Sequence, residues 1–265
     1  MNDARAGRFV WYELMTTDPK AAMDFYTAVI GWKTQPFAEG TPPGEDPYVM
    51  WVGGEGPLGG VMTLPEAAAA MGAPPHWMAH VEVAKVDDTL AAARKLGGQV
   101  YVEPIDIPTV GRFAVIADPT GASISVFTPL AAMTTHDATK AGEFTWSELI
   151  STDAEAAFRF YGELFGWKHQ SDFDMGPMGK YRMYGQGDKT YGGMFTKSAD
   201  MPMPSTWIYY IHVDDLDATL AKATERGAKV MNGPMSVPGG ARVATLLDPQ
   251  GAMFALHGPG KAEAS

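Results

Sequence analysis

The chain has 265 residues, of which 46% are apolar and 19% charged, the composition of a globular protein rather than a disordered one. Its net charge of −11 disfavours nucleic acid and anionic membrane as partners, because both require a cationic surface. The absence of cysteine excludes disulfides, thiolate metal sites and cysteine nucleophiles. The polar stretch Met1 to Arg8 lacks a signal-peptide pattern, and no apolar run reaches the roughly 18 residues of a membrane span, so the sequence reads as cytoplasmic.

Phe9 to Met15 alternates and is aromatic, which predicts a strand. Thr17-Asp18-Pro19 then supplies an N-cap and a helix-start proline. Ala21, Ala22, Phe25, Tyr26 and Val29 follow at helical spacing, and Gly31 ends the helix. Strands are expected at Tyr48 to Val52 and Gly59 to Thr63. The order then recurs: a strand at Trp77 to Val83, a helix from Val86-Asp87-Asp88 to Lys95 stopped by Gly97-Gly98, and strands at Val100 to Val102, Arg112 to Ala117 and Ser123 to Phe127. Asp118-Pro119-Thr120-Gly121 is a turn in which proline fixes φ and glycine takes the positive φ. The reading is βαβββ-βαβββ.

The whole pattern is then written again. Trp11-Tyr12-Glu13-Leu14 returns as Trp146-Ser147-Glu148-Leu149 and Gly31-Trp32-Lys33 as Gly166-Trp167-Lys168, both 135 positions on (146 − 11 and 166 − 31). Trp77 returns as Trp207 and Asp118-Pro119 as Asp248-Pro249, 130 positions on (207 − 77 and 248 − 118). The second repeat is therefore shorter by about five residues, a loss expected in the Pro/Gly-rich stretch Thr41 to Pro57. The expected division is a first domain at 1–130, a linker at 131–142 and a second domain at 143–260, with a frayed tail after His257.

Strand, Asp, Ala-rich helix with Phe-Tyr, Gly-Trp and a closing Asp-Pro-x-Gly hairpin make a pattern that resembles the vicinal oxygen chelate superfamily of glyoxalase, bleomycin-resistance and extradiol dioxygenase proteins. The resemblance covers nearly the whole chain. It implies an α+β fold of tandem glyoxalase-like domains, each of two βαβββ modules forming a curved mixed sheet around a small-molecule cup. It also implies metal-ligand positions on three kinds of strand. Aligned by spacing, these fall on Trp11, Met78 and Ser125 in the first repeat and on Trp146, Ile208 and Ala255 in the second. None is a usual ligand for a divalent ion.

Alternation puts Glu13 on the face of Trp11, His80 and Glu82 with Met78, and Phe127 with Ser125. In the second repeat it puts Glu148 with Trp146, Tyr210 and His212 with Ile208, and His257 with Ala255. A relocated metal site from Glu13 and His80, or from Glu148, His212 and His257, meets a geometric objection: on antiparallel opening strands, two residues' displacement on each separates the groups. Glu13 and Glu148 read either as cup-lining carboxylates acting as base or acceptor, or as structural carboxylates held by backbone amides or by Arg112 or Arg242. Trp11 and Trp146 read as an aromatic wall or as filling of the vacated metal space. Gly59-Gly60 is read as loop glycine, and His76, His136 and His169 as loop or turn residues.

The expected ligand-binding residues are accordingly Trp11, Glu13, Met78, His80 and Ser125 in one cup, and Trp146, Glu148, Ile208, Tyr210, His212 and Ala255 in the other. The expected partner is a small apolar or aromatic molecule, bound without a cofactor in the bleomycin-resistance manner, by a pseudo-dimeric monomer or a homodimer. The alternatives are a metal-dependent lyase, isomerase or dioxygenase, and a non-catalytic scaffold.

Overall fold

The computed structural model describes residues 6–37 and 47–260. The loop expected around Thr41 falls partly outside these residues, as do the first five and last five positions of the chain.

The first repeat runs β1 (Phe9–Thr16), α1 (Pro19–Val29), β2 (Lys33–Phe37), β3 (Tyr48–Gly53), β4 (Gly56–Thr63), α2 (Glu66–Ala70), β5 (His76–Glu82), α3 (Val86–Lys95), β6 (Gln99–Ile107), β7 (Gly111–Ala117) and β8 (Ser123–Pro129). The second runs β9 (Phe144–Ser151), α4 (Ala154–Phe165), β10 (Lys168–Asp174), β11 (Lys180–Gln186), β12 (Lys189–Thr196), β13 (Thr206–His212), α5 (Leu216–Glu225), β14 (Lys229–Ser236), β15 (Arg242–Leu247) and β16 (Met253–Gly258). Each repeat is one eight-stranded mixed sheet, in the orders β2-β3-β4-β1-β5-β8-β7-β6 and β10-β11-β12-β9-β13-β16-β15-β14. The expected α+β architecture of two βαβββ modules per repeat is the one observed.

Local chemistry accounts for the helix ends. Asp18 and Asp153 accept from the backbone N–H of Ala21 and Ala156, each at 2.9 Å, and Asp215 accepts from Ala218 at 3.0 Å. Each such cap stabilises its helix by about 1 kcal/mol. Gly166 leaves α4 at φ +75°, and Trp167 behind it is buried. At the two Asp-Pro-x-Gly turns the aspartate adds a function the proline and glycine do not explain. Asp118 Oδ1 accepts from the N–H of Thr120 (2.7 Å) and Ala122 (3.2 Å). Asp248 Oδ1 accepts from Gln250 and Ala252, both at 2.9 Å.

The module is entered through a bulge that the sequence reading missed. Gly7 N–H donates to Glu82 C=O and Glu82 N–H to Arg8 C=O, both at 2.8 Å, so two residues face one. Gly142 and Glu143 face His212 in the same way, again at 2.8 Å. Gly7 and Gly142 adopt φ +91° and +83°, which is why glycine stands at both places.

By its internal contacts the chain divides into two compact units, and neither coincides with a repeat. Unit one gathers 1–11, 78–135 and 146–208. Unit two gathers 12–77, 136–145 and 209–265. In unit one, helices α3 and α4 meet and the core is aromatic: Trp207 Nε1 donates to Tyr161 Oη at 3.2 Å, and Trp167 Nε1 donates to Gly7 C=O at 2.7 Å. In unit two, α1 and α5 meet. Trp77 Nε1 donates to Tyr26 Oη at 2.9 Å, and Tyr26 Oη donates to Asp248 at 3.1 Å. Burial raises the Tyr26 pKa well above its ordinary value, and the Asp248 charge adds to the shift.

Several expectations need correction. Gly59 and Gly60 lie within β4, where the strand expected at Gly59 to Thr63 puts them, and not in the loop expected of the glycine pair. β2 and α2 were not anticipated: β2 exposes all but its last residue and contains Pro36, so it shows no alternation. His76 opens β5 and His169 lies in β10. Gly258 is buried at the end of β16 rather than frayed. The shortening of the second repeat is divided. Gly31 to Tyr48 spans two residues more than Gly166 to Tyr181 (17 against 15), and Gly60 to Trp77 spans three more than Gly193 to Trp207 (17 against 14), where α2 has no counterpart.

Candidate functional site

The strongest duplicated feature is a carboxylate held by a tyrosine. Tyr48, at the start of β3, donates to Glu13 Oε2 on β1 at 2.6 Å. Tyr181, at the start of β11, donates to Glu148 Oε2 on β9 at 2.8 Å. Between each pair of strands lies a glycine in register with the glutamate: Gly60 opposite Glu13 and Gly193 opposite Glu148. A Cβ at either glycine would fall inside the tyrosine ring or hydroxyl, so the phenol lies flat across the gap a side chain would fill. In the second repeat Trp146 Nε1 donates to Tyr181 Oη at 2.8 Å.

A tyrosine donates to each of the two glutamates, and the two arginines considered from the sequence pair elsewhere. Arg112 instead pairs with Asp87 (3.0 Å) and Asp106 (2.8 Å), and Arg242 with Asp217 (2.8 Å). The two tyrosines escaped the sequence reading because their offset is 133 (181 − 48), between the two offsets used. The signal was present, since each stands twelve residues before the second glycine of a Gly-Gly pair (60 − 48 and 193 − 181).

The parallel strands β5 and β8 bring His80 opposite Ser125. Ser125 Oγ lies 2.9 Å from His80 Nδ1 and donates to Ala114 C=O at 3.2 Å. With the hydroxyl proton so placed, Nδ1 is the donor and Nε2 carries the lone pair. Burial lowers the His80 pKa to about 4, so the ring is neutral at ordinary pH. Phe113 and Phe127 flank it at ring-centre distances of 6.1 and 6.0 Å.

At the equivalent place in the second repeat, Tyr210 faces Ala255, and the polar pair stands two residues further along as His212 opposite His257. Their Nδ1 atoms are 3.2 Å apart, and burial, followed by the His212 charge, lowers the His257 pKa. The geometric objection to relocated groups therefore does not reach this pair. β13 and β16 are parallel, and an equal step along both keeps the partners together.

The remaining expected residues are placed as follows. Met78, Ile208, Tyr210 and Ala255 are buried, and Trp11 and Trp146 are half-buried. Glu82, also buried, is met by Arg8 at 2.6 Å. An open cleft of about 760 Å³ in unit one is lined by Leu96, Pro119, Phe160, Trp167 and Lys168 among others, and shares no residue with these groups.

A chain built of repeated βαβββ modules, with polar pairs set on paired parallel strands, defines a class of small α+β proteins. The model of the Glyoxalase/Bleomycin resistance protein/Dioxygenase superfamily matches residues 8–126 and again 143–256, and the chain belongs to that family. It is 33% identical over 259 residues to "Putative glyoxylase CFP32" of Mycobacterium tuberculosis, covering 97% of each chain. It is 28% identical over 262 residues to "Anthracycline biosynthesis protein DnrV" of Streptomyces peucetius, covering 94% of this chain and 92% of that one. In structure it is similar to a Mn(II)-bound glyoxalase from Novosphingobium aromaticivorans. The TM-score is 0.62 at 15% identity, over 97% of this chain and 83% of the other, a likeness of fold alone.

Proposed function

We propose that this chain binds a small, largely apolar or aromatic molecule on its sheets, without the metal site that its family resemblance implies. One observation carries the reading: the chemistry at the six implied ligand positions. Met78, Ile208 and Ala255 offer thioether and alkyl groups. Trp146 offers an indole N–H, which can only donate and which Tyr181 already accepts. The Ser125 hydroxyl is engaged by His80 and Ala114. Trp11, the sixth, is another indole. Hard divalent ions require carboxylate, imidazole or carbonyl donors, so these residues do not fit one.

What these positions supply instead is apolar and aromatic surface beside a few fixed polar groups, the usual composition of a small-molecule site. The glutamate–tyrosine pairs and the neutral His80 would orient a ligand's hydroxyl or carbonyl groups. The name of the Streptomyces relative suggests polycyclic hydroxyquinones as the first probes.

A thermal-shift panel of such compounds, run in the presence of chelator, tests the reading. A ligand at 100 times its Kd should add about 2.7 kcal/mol of stability. Trp146→Ala and Tyr181→Phe should weaken that response. A panel in which no compound stabilises the chain would contradict the proposal.

A further inference from the structure

Three potential ligands converge in unit two. Glu55 sits in the turn between β3 and β4. His136 and Glu143 lie at the two ends of the segment that leads into β9. One ligand atom from each lies within 4.8 Å of the other two.

The imidazole is oriented as a metal ligand would be. His136 Nε2 lies 3.1 Å from Pro57 C=O, which makes it the protonated nitrogen and fixes the ring. Nδ1 faces Glu143 Oε2 at 2.9 Å, a contact with the carboxylate that raises the His136 pKa, so a bound ion would take the place of the proton between them.

Glu143 supplies an independent sign of a missing partner. Its side chain is only 1% exposed, and its Oε1 has no hydrogen-bond partner among the described residues. That oxygen lies over the β3–β4 hairpin, where a Cβ on Gly53 would come within 2.9 Å of it. A buried carboxylate oxygen without a donor is costly, and a cation removes the cost.

Glu55 is held by Asp137 N–H and the Lys140 ammonium. The Lys140 side chain is more than half exposed, so its ion pair is a weak competitor that an ion can displace. Two carboxylates and one imidazole suit a first-row divalent ion with open positions for water. The counterpart of Glu143 in the first repeat is Arg8, which cannot ligate, and the arrangement occurs once among the described residues.

We propose that Glu55, His136 and Glu143 bind one divalent transition-metal ion, which fastens the segment between the repeats to the β3–β4 hairpin. The site uses none of the proposed ligand-binding side chains, although the backbone of Glu143 is bonded to that of His212. To test it, the full chain is stripped with chelator, desalted and dialysed against micromolar Zn²⁺, and bound metal is measured by elemental analysis. One Zn²⁺ per chain is expected, with a higher melting temperature than the stripped chain. His136→Ala and Glu55→Gln should each weaken binding roughly tenfold or more. Glu55→Gln changes a turn residue and keeps the test open if His136→Ala folds poorly by circular dichroism. The double variant His212→Ala/His257→Ala should bind as wild type does. Failure of the stripped chain to take up Zn²⁺, uptake unchanged in Glu55→Gln, or loss only in the His212/His257 variant would each overturn the proposal.

Discussion

At His80, burial beside Phe113 and Phe127 withholds solvent from the ring, and the Ser125 hydroxyl gives it one hydrogen bond. The folded chain resists protonation of this ring until about pH 4, whereas an unfolded chain takes up the proton near 6.5. The stability associated with the neutral ring is therefore complete above pH 6.5 and is lost as pH falls from 6.5 towards 4. His80→Asn should remove that component. In denaturant melts, the stability gap between wild type and variant should shrink progressively over this window. A gap independent of pH, or a His80 imidazole resonance titrating near 6.5, would refute the assignment. Glu13, Glu148 and His80 were legible as candidates because alternation alone places them on a shared face. Ser125 was legible beside His80, but the tyrosine partners of the two glutamates were not, because a hydrogen bond across three strands has no fixed spacing along the chain.

On β4 and β12, the glycines opposite Glu13 and Glu148 exist so that a tyrosine can lie over them. Gly193→Ala should push the Tyr181 ring aside and cost about 1–3 kcal/mol, as overpacking does in a filled interior. In a Tyr181→Ala background the same change should cost far less, because the Cβ then meets no ring. Equal costs in both backgrounds, measured by thermal or denaturant unfolding, would show that the glycine serves another purpose. The elements that sequence revealed were those with a mechanism: aspartate caps, glycine stops and alternating strands. β2 escaped because its exposed residues carry no burial pattern, and the entry bulges escaped because Gly7 and Gly142 look like any other loop glycine.

For the whole molecule, duplication was the plainest message of the sequence, yet it describes the sheets better than the packing. Each compact unit takes segments from both repeats, a pairing that periodicity within one repeat cannot disclose. The repeats have also diverged in chemistry. The first keeps a histidine–serine pair where the second has Tyr210 opposite Ala255, and the second places two histidines two residues further on. That divergence, on a scaffold whose implied metal positions hold indole, thioether, hydroxyl and alkyl groups, is the basis on which we propose binding rather than metal chemistry. The most direct test is calorimetric titration of the best-stabilising aromatic compound into chelator-treated chain, repeated after adding Mn²⁺ or Zn²⁺. The account predicts saturable binding of the same affinity in both conditions, weakened by Trp146→Ala. Binding that appears only after metal is added, and that survives Trp146→Ala, would contradict it.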